Sequence, residues 1–283
     1  MTLYASIVLY RTPQDEVMQI VQTLHSLSAV QRIFLIDNSP APATLPLQDY
    51  PRCRYVFCGR NAGYGAAHNI GLRQAVADGA DLHLVVNSDI RFQADDLMQM
   101  AAYMQDHPDT GLLMPRVVYP DGRLQYLCKL LPTPLDLLKR RFLPARWTRR
   151  STERYELRRS GYDQPMNVPY LSGCFMLLRT EALRQTGLFD ERFFLYPEDI
   201  DLTRRLHRHW RTLYWPGCTI VHDHRRGSYR SLRLLWVHAT NMCRYFNKYG
   251  WLHDKERDEM NRRCEEEVLR TGRTVRLHAG GGR

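Results

Sequence analysis

The chain has no long apolar run. Its hydrophobic stretches last only a few residues, against the roughly 20 that crossing a bilayer requires, so no spanning helix is expected. It has no Cys-x-x-Cys. Seven cysteines stand at positions 53, 58, 128, 174, 218, 243 and 264. That number is odd and the spacing irregular, which fits reduced thiols better than a disulfide framework or a zinc ribbon. Gly-x-Gly-x-x-Gly is absent, and so is any internal repeat. No basic n-region precedes the first strand-like run. The expectation is therefore a chain without a cleaved signal peptide, in the cytoplasm. Acidic residues are also short, with 30 Asp and Glu against 40 Lys and Arg, a net charge of +10.

That excess is uneven. Between Lys139 and Arg159 lie nine Lys or Arg and two Glu, a net +7. Such a patch either sits solvated on the surface or seeks phosphate, in nucleic acid, anionic lipid or a phosphorylated substrate. Hydrophobic residues make up 44% of 283 positions, enough for one large α/β domain with a proper core and a small appendage.

Buried strand-like runs alternate with helical spacing. Strands are expected at Ser6–Tyr10, Ile33–Ile36, Arg54–Phe57, Leu82–Val86, Cys174–Leu178 and Thr219–Val221. Helices are expected at 15–27, 66–77, 95–105, 198–209 and 231–249. The proline-rich 40–51 reads as a loop. Residues 132–165 read as a long basic excursion, and the charged chain beyond Asp254 as a frayed end. The alternation predicts a mostly parallel sheet with helices on both faces. Ligands of such sheets bind beyond the carboxyl ends of the strands. Three polar clusters, at 37–39, 87–89 and 222–224, directly follow strand-like runs.

The densest chemistry is Tyr196-Pro197-Glu198-Asp199-Ile200-Asp201. Proline suits a first helical position, so the three carboxylates crowd a first helical turn. Acidic bias there offsets the helix dipole by itself. Together with Asn87-Ser88-Asp89 and His222-Asp223-His224, it points instead to metal-assisted chemistry with a general base.

In order and spacing, the motifs resemble glycosyltransferase family 2, the inverting enzymes of GT-A fold, and in particular a bacterial rhamnosyltransferase-like branch. The matching pieces are Ile36-Asp37-Asn38-Ser39, Asn61 to Gly71, Asn87-Ser88-Asp89, Pro120-Asp121-Gly122-Arg123, Ser172-Gly173-Cys174-Phe175, Phe189 to Leu202, and Val221-His222. The resemblance implies a Rossmann-like GT-A domain over residues 1–224 and a C-terminal helical extension with a frayed tail over 225–283. It implies an inverting enzyme moving a sugar from dTDP-rhamnose or a UDP-sugar to a saccharide acceptor, lipid-linked, in bacterial cell-surface polysaccharide or lipopolysaccharide assembly.

It also implies site roles. Asp199 is the base, and Glu198 supports it or orients the acceptor. Tyr10, Asp37, Asn61, Gly63, Asn69, Asn87, Ser88 and Asp89 line the nucleotide sugar. Gly173, Glu198 and Arg225 face the acceptor. Asp89, with His222 or His224, holds Mn²⁺ or Mg²⁺, for which oxygen and imidazole donors are suited. Residue type leaves alternatives open. Asp37 before Pro40 also suits an Asx turn, Gly63 and Gly65 a plain turn, and Asn87 puts an amide where a DXD motif has a carboxylate.

Two other functions compete. A sugar nucleotidyltransferase usually carries a Gly-rich, basic signature at its first strand, and here Ser6 to Pro13 offers only Arg11. A non-catalytic nucleic-acid-binding module would use the basic excursion, but no nucleic-acid motif accompanies it, so no nucleic acid is expected. The excursion and the 231–249 stripe suggest a peripheral position at the anionic inner face of the cytoplasmic membrane. The same stripe also suits a helix docked on the domain.

Overall fold

The computed structural model describes residues 1–223 and 232–279. Its strands are β1 (Leu3–Leu9), β2 (Val30–Asp37), β3 (Cys53–Phe57), β4 (Leu82–Val86), β5 (Ile90–Arg91), β6 (Thr110–Val118), β7 (Cys128–Lys129), β8 (Met166–Asn167), β9 (Tyr170–Leu171), β10 (Phe175–Arg179) and β11 (Arg211–His222). Its helices are α1 (Gln14–His25), α2 (Tyr64–Asp78), α3 (Ala94–Asp106), α4 (Pro134–Phe142), α5 (Ala145–Tyr155), α6 (Thr180–Thr186), α7 (Glu198–His207), α8 (Leu232–Tyr249) and α9 (Lys255–Ala279).

A 9-stranded sheet runs β3-β2-β1-β4-β10-β6-β11-β5, with β8 on β11, and β7 pairs β9 separately. Side chains alternate across it. Leu3, Ala5, Ile7 and Leu9 of β1 join α1 and α3 in one core layer. Tyr4 and Val8 pack on the other face against α2. Every residue of β4 is buried, as a strand covered on both faces requires.

The α/β architecture with helices on both faces is as expected. The sheet is mixed, however. β10 runs antiparallel to both β4 and β6. Its buried run reads like that of a parallel strand, because hydropathy carries no information about direction.

Helix α2 packs unusually close to the sheet. A Cβ on Gly71 would stand 3.1 Å from Ser6 Cβ and 3.2 Å from Phe34, so only glycine fits without movement. Beneath α2, the Ser6 hydroxyl lies 2.7 Å from His68 Nδ1 and 2.8 Å from His83 Nε2. Burial pulls both imidazoles well below their usual range and keeps them neutral.

The C-terminal half has the expected helical extension and departs from the sequence reading in two places. The basic excursion is helical, and α4 opens with a capping box in which Thr133 and Asp136 satisfy each other's backbone amides. The charged segment beyond Asp254 is helix α9, whose Met260 and Cys264 enter the core. Two or three apolar side chains at i, i+4 and i+8 are enough to dock it, yet too few to stand out among charges. Of the two readings of the α8 stripe, the docked helix is the one found in its second half. Met242, Tyr245 and Phe246 are buried against Phe193 and Leu202, and each such apolar burial stabilises by about 1.5–3 kcal/mol.

Arg204 of α7 locks these helices in place. It is 1% exposed. Its guanidinium donates to both oxygens of Asp254 at 2.7 Å and to Glu256 at 2.7 Å. It also lies 3.9 Å from the centre of the Tyr249 ring. Asp201 takes the neighbouring Arg205 at 2.8 Å and the Tyr249 hydroxyl at 2.7 Å.

Candidate active site

Strands β1, β2 and β4 are mutually parallel, and β11 follows β6 in the same sense. Their carboxyl ends therefore share one rim. Leu9 stands beside Asp37 in register, and Ile7 beside Val86. Tyr10, the 37–39 turn, Asn87–Asp89 and His222 all emerge on this rim, where ligands of such sheets bind.

Facing the rim is the first turn of α7. Pro197 is its N-cap and Glu198 its first residue. Glu198 is 4% exposed, and its Oε2 has no hydrogen-bond partner among the described residues. Burial, with the adjacent charge of Asp199, raises the Glu198 carboxyl well above the usual range. Asp199 is half-buried. Its Oδ2 accepts the Gly173 amide at 3.1 Å and its Oδ1 the Ile200 amide at 2.8 Å. Burial raises its carboxyl too, against those two donors and the charge of Lys129. Burial and mutual repulsion thus favour a single negative charge on the pair.

Gly173 is fixed from both sides. A Cβ there would lie 3.2 Å from Asp199 Cβ. Its carbonyl lies 2.7 Å from the Tyr64 hydroxyl, which is also 2.9 Å from Asn87 Oδ1. Tyr64 therefore connects the acid pair to the Asn87–Asp89 turn.

Asp89 and His222 form the second polar centre. Asp89 Oδ1 lies 3.4 Å from His222 Nε2, and the Asp223 amide donates to the Asp89 carbonyl at 3.0 Å. Burial alone would pull His222 down. Hydrogen bonds to Asp89 and Cys174, with their charges, outweigh it and push the imidazole up to about 10. Gln125 fixes the ring, with Oε1 3.0 Å from Nδ1 and its amide donating to the His222 carbonyl at 2.8 Å. Among the described residues, no three His, Cys, Asp or Glu side chains gather as a metal site. Asp89 offers an oxygen donor, and His222 a nitrogen donor once a cation displaces the proton that Asp89 favours on its ring. That set suits Mn²⁺ or Mg²⁺ if the rest of the shell comes from a ligand's oxygens.

The remaining expected residues divide. Tyr10 has a half-exposed ring at the end of β1. Asn61 is exposed, and its Oδ1 accepts the Gly63 amide at 3.0 Å. Gly63 has φ of 94° and meets the Phe194 carbonyl so closely that no side chain fits. Asp37 is 0% exposed. Its oxygens accept the amides of Ser39 at 2.8 Å and Ala43 at 3.0 Å, and the Tyr55 hydroxyl at 2.6 Å. The Asx turn that competes with nucleobase binding is therefore formed. Ser88 spends its hydroxyl on Glu16 of α1 at 2.6 Å.

Asn69 is displaced from its expected role. It is buried, its amide donates to the Phe189 carbonyl at 2.9 Å and Glu191 at 2.8 Å, and its oxygen accepts the Phe189 amide at 3.1 Å. It pins α2 to the segment before α7 and has no free polar atom for a donor sugar. His224 and Arg225 lie outside the described residues.

Three residues escaped sequence reading. Tyr64 opens α2 and reads as an ordinary aromatic. Gln125 gains its place from the turn at Asp121–Arg123, where Gly122 has φ of 81°. Lys129 faces Tyr170 across the β7–β9 ladder, a pairing without local signal. Burial lowers its ammonium, while Asp199 and Glu156 hold it up against that.

Residues 15–187 match the family described as Glycosyl transferase family 2. The chain is 30% identical over 203 residues to an N-acetylglucosaminyl-diphospho-decaprenol L-rhamnosyltransferase of Mycobacterium tuberculosis, covering 67% of this chain and 66% of that protein, just under two thirds of its length. Among solved structures it resembles S. aureus TarS in complex with UDP-GlcNAc, with TM-score 0.58 and 15% identity over 92% of this chain and 70% of that one. It also resembles GalNAc-T7 with UDP, GalNAc and Mn²⁺, with TM-score 0.58 and 14% identity over 80% of this chain and 44% of that one. These structural likenesses establish a GT-A-like fold.

Asn69→Ala separates the structural from the ligand role. Stranding the Phe189 amide and carbonyl should cost about 1–3 kcal/mol of unfolding free energy, read by urea denaturation, with UDP affinity unchanged. Weakened UDP binding at unchanged stability would return Asn69 to the donor site.

Proposed function

Because the chain belongs to glycosyl transferase family 2, we propose that it is an inverting glycosyltransferase that takes a sugar from dTDP-rhamnose or a UDP-sugar. The acceptor is a saccharide carried on a lipid, in bacterial cell-surface polysaccharide or lipopolysaccharide assembly. The observation that carries this reading is the Glu198–Asp199 pair, held by Gly173 across the rim from Asp89 and His222.

Asp199 takes the proton of the acceptor hydroxyl as its oxygen attacks the anomeric carbon. Attack comes from the face opposite the diphosphate, so configuration inverts and no covalent sugar–enzyme bond forms. Glu198, kept protonated, limits the pair to one negative charge and donates to the acceptor. Tyr64 and Gly173 keep the carboxylate aimed. Tyr10 and Asn61 flank the nucleoside, and Asp37 shapes the loop beneath its base. Asp89 and His222 would hold Mn²⁺ or Mg²⁺, whose charge offsets that of the departing diphosphate.

Among the described residues, no helix is long and apolar enough to cross a membrane. Helix α4, however, buries none of its residues. Leu135, Leu138 and Phe142 share one of its faces. With Trp147 of α5 they are between 55% and 74% exposed. Lys139, Arg141, Arg146, Arg149 and Arg150 surround them. Apolar side chains within a basic rim favour seating in anionic headgroups, and each basic residue adds about 1 kcal/mol near the surface. A lipid-linked acceptor would be met there.

Two outcomes are expected. Asp199→Asn keeps the shape but cannot take the proton, so kcat should fall by roughly 10² or more with donor affinity retained; a folded variant with near-normal turnover would remove Asp199 from the mechanism. In vesicle co-sedimentation the protein should favour phosphatidylglycerol over phosphatidylcholine, and Phe142→Glu should abolish the preference. Equal binding to both lipids, or none, would rule the membrane seat out.

A further inference from the structure

Lys129 and Arg140 are half-buried cations that no carboxylate meets in a direct ion pair, although Asp199 and Glu156 lie close enough to hold the Lys129 ammonium up. Lys129 Nζ lies over the Tyr170 ring, 5.1 Å from its centre. Arg140 lies over the Tyr155 ring, with its guanidinium carbon 3.5 Å from the centre. Its Nε has only a long bond, 3.3 Å, to the Asp136 carbonyl. Among the described residues neither forms an ion pair, although many surface arginines of this chain do. Half-burying two positive charges near each other is costly where no carboxylate meets them directly, and a bound anion would offset that cost.

The fold brings both cations to the acceptor side of the cleft. The β7–β9 ladder sets Lys129 opposite Tyr170, three residues before Gly173, whose amide holds Asp199. The Leu130 amide donates to the Tyr155 carbonyl at 2.9 Å, which ties the end of α5, and with it the Arg140–Tyr155 stack, to β7. The remaining wall is α8, where His238 meets Tyr196 edge-on with ring centres 5.3 Å apart. His238 and the Tyr155 and Tyr170 phenols all feel this charge group, the first through Arg140 and the phenols through Asp199 and Arg140. The donor's own diphosphate belongs at Asp89 and His222, at the ends of β4 and β11.

We propose that Lys129 and Arg140 form a binding site for the diphosphate ester of the acceptor, beside Asp199. The proposal rests on the reading of the chain as a transferase with a lipid-linked acceptor, and adds the residues of this chain that would meet a diphosphate linkage. Two cations on separate elements match an extended group of about two negative charges better than a single carboxylate. A lysine and an arginine offer a point charge and a planar fork, both suited to phosphate oxygens.

Calorimetric titration of the full chain with farnesyl diphosphate in EDTA tests this, with farnesol and inorganic pyrophosphate as companion ligands. Wild type should bind farnesyl diphosphate and not farnesol. Lys129→Gln and Arg140→Gln should each weaken it at least ten-fold, while Lys129→Arg restores most of the affinity. UDP with Mn²⁺, titrated separately, should bind all variants equally, which reports on folding and on the donor side. Unchanged farnesyl diphosphate affinity in both glutamine variants, or no binding to wild type, overturns the proposal. So does tight binding of pyrophosphate or farnesyl diphosphate that UDP displaces, since the diphosphate then occupies the donor side. Loss of UDP binding with farnesyl diphosphate binding intact would strike the donor reading and leave this site standing.

Discussion

Two neighbouring carboxylates cannot both be charged and buried, and the site is built around that constraint. Glu198 and Asp199 begin α7, where the helix dipole favours one negative charge. Glu198 Oε2 has no hydrogen-bond partner among the described residues, although backbone amides reach its carboxyl, while Asp199 accepts two amides and feels the charge of Lys129. These contacts favour the negative charge on Asp199. Most features of the rim keep this asymmetry. Gly173 supplies an amide at a point where no Cβ fits easily, Tyr64 holds the Gly173 carbonyl, and Lys129 supplies a distant positive charge. The arrangement gives the Asp199 carboxyl a fixed direction, as its proposed role of base requires.

The C-terminal helices serve the same turn from behind. Arg204, three residues after Asp201 on α7, is clamped by Asp254 and Glu256. Removing one partner of such a buried pair typically costs about 3–5 kcal/mol, because the other charge is stranded. Tyr249 and Lys248 of α8 meet Asp201, and Asn241 donates to the Leu195 carbonyl at 3.0 Å. The extension is thus part of the framework that positions Glu198 and Asp199, and its buried apolar stripe belongs to that task. The surface left for a membrane is on α4 and α5, where the apolar residues face outward among arginines.

Much of this was legible in the residues. The spacing of Val17, Ile20, Val21 and Leu24 marks α1, and the apolar run at 82–86 marks β4 to the residue. The order of the acidic, histidine and glycine motifs identifies the family, which favours the transferase over a sugar nucleotidyltransferase or a nucleic-acid-binding module. What stayed hidden depends on pairing at a distance. The direction of β10 is set by its neighbours. Asn69 is as polar as Asn61 and lies in the same motif, but it falls on the buried face of α2 and is consumed by the Phe189 backbone. Asp37 suits both a nucleobase and an Asx turn, and only the folded loop shows the turn made. Lys129 owes its surroundings to a two-residue ladder that no local pattern announces. Helix α9 enters the apolar core through Met260, Cys264 and Val268, scattered among charges.

The central claim is that donor and acceptor chemistry meet between two centres, Asp89 with His222 and Glu198 with Asp199. A crystal structure with UDP and Mn²⁺ tests it most directly, because manganese can be located by its anomalous scattering. The account predicts a manganese peak bound by Asp89, His222 and the diphosphate, with the β-phosphate end of UDP directed toward Asp199. Manganese and nucleotide bound elsewhere on the chain, or a diphosphate directed away from Asp199, would contradict it.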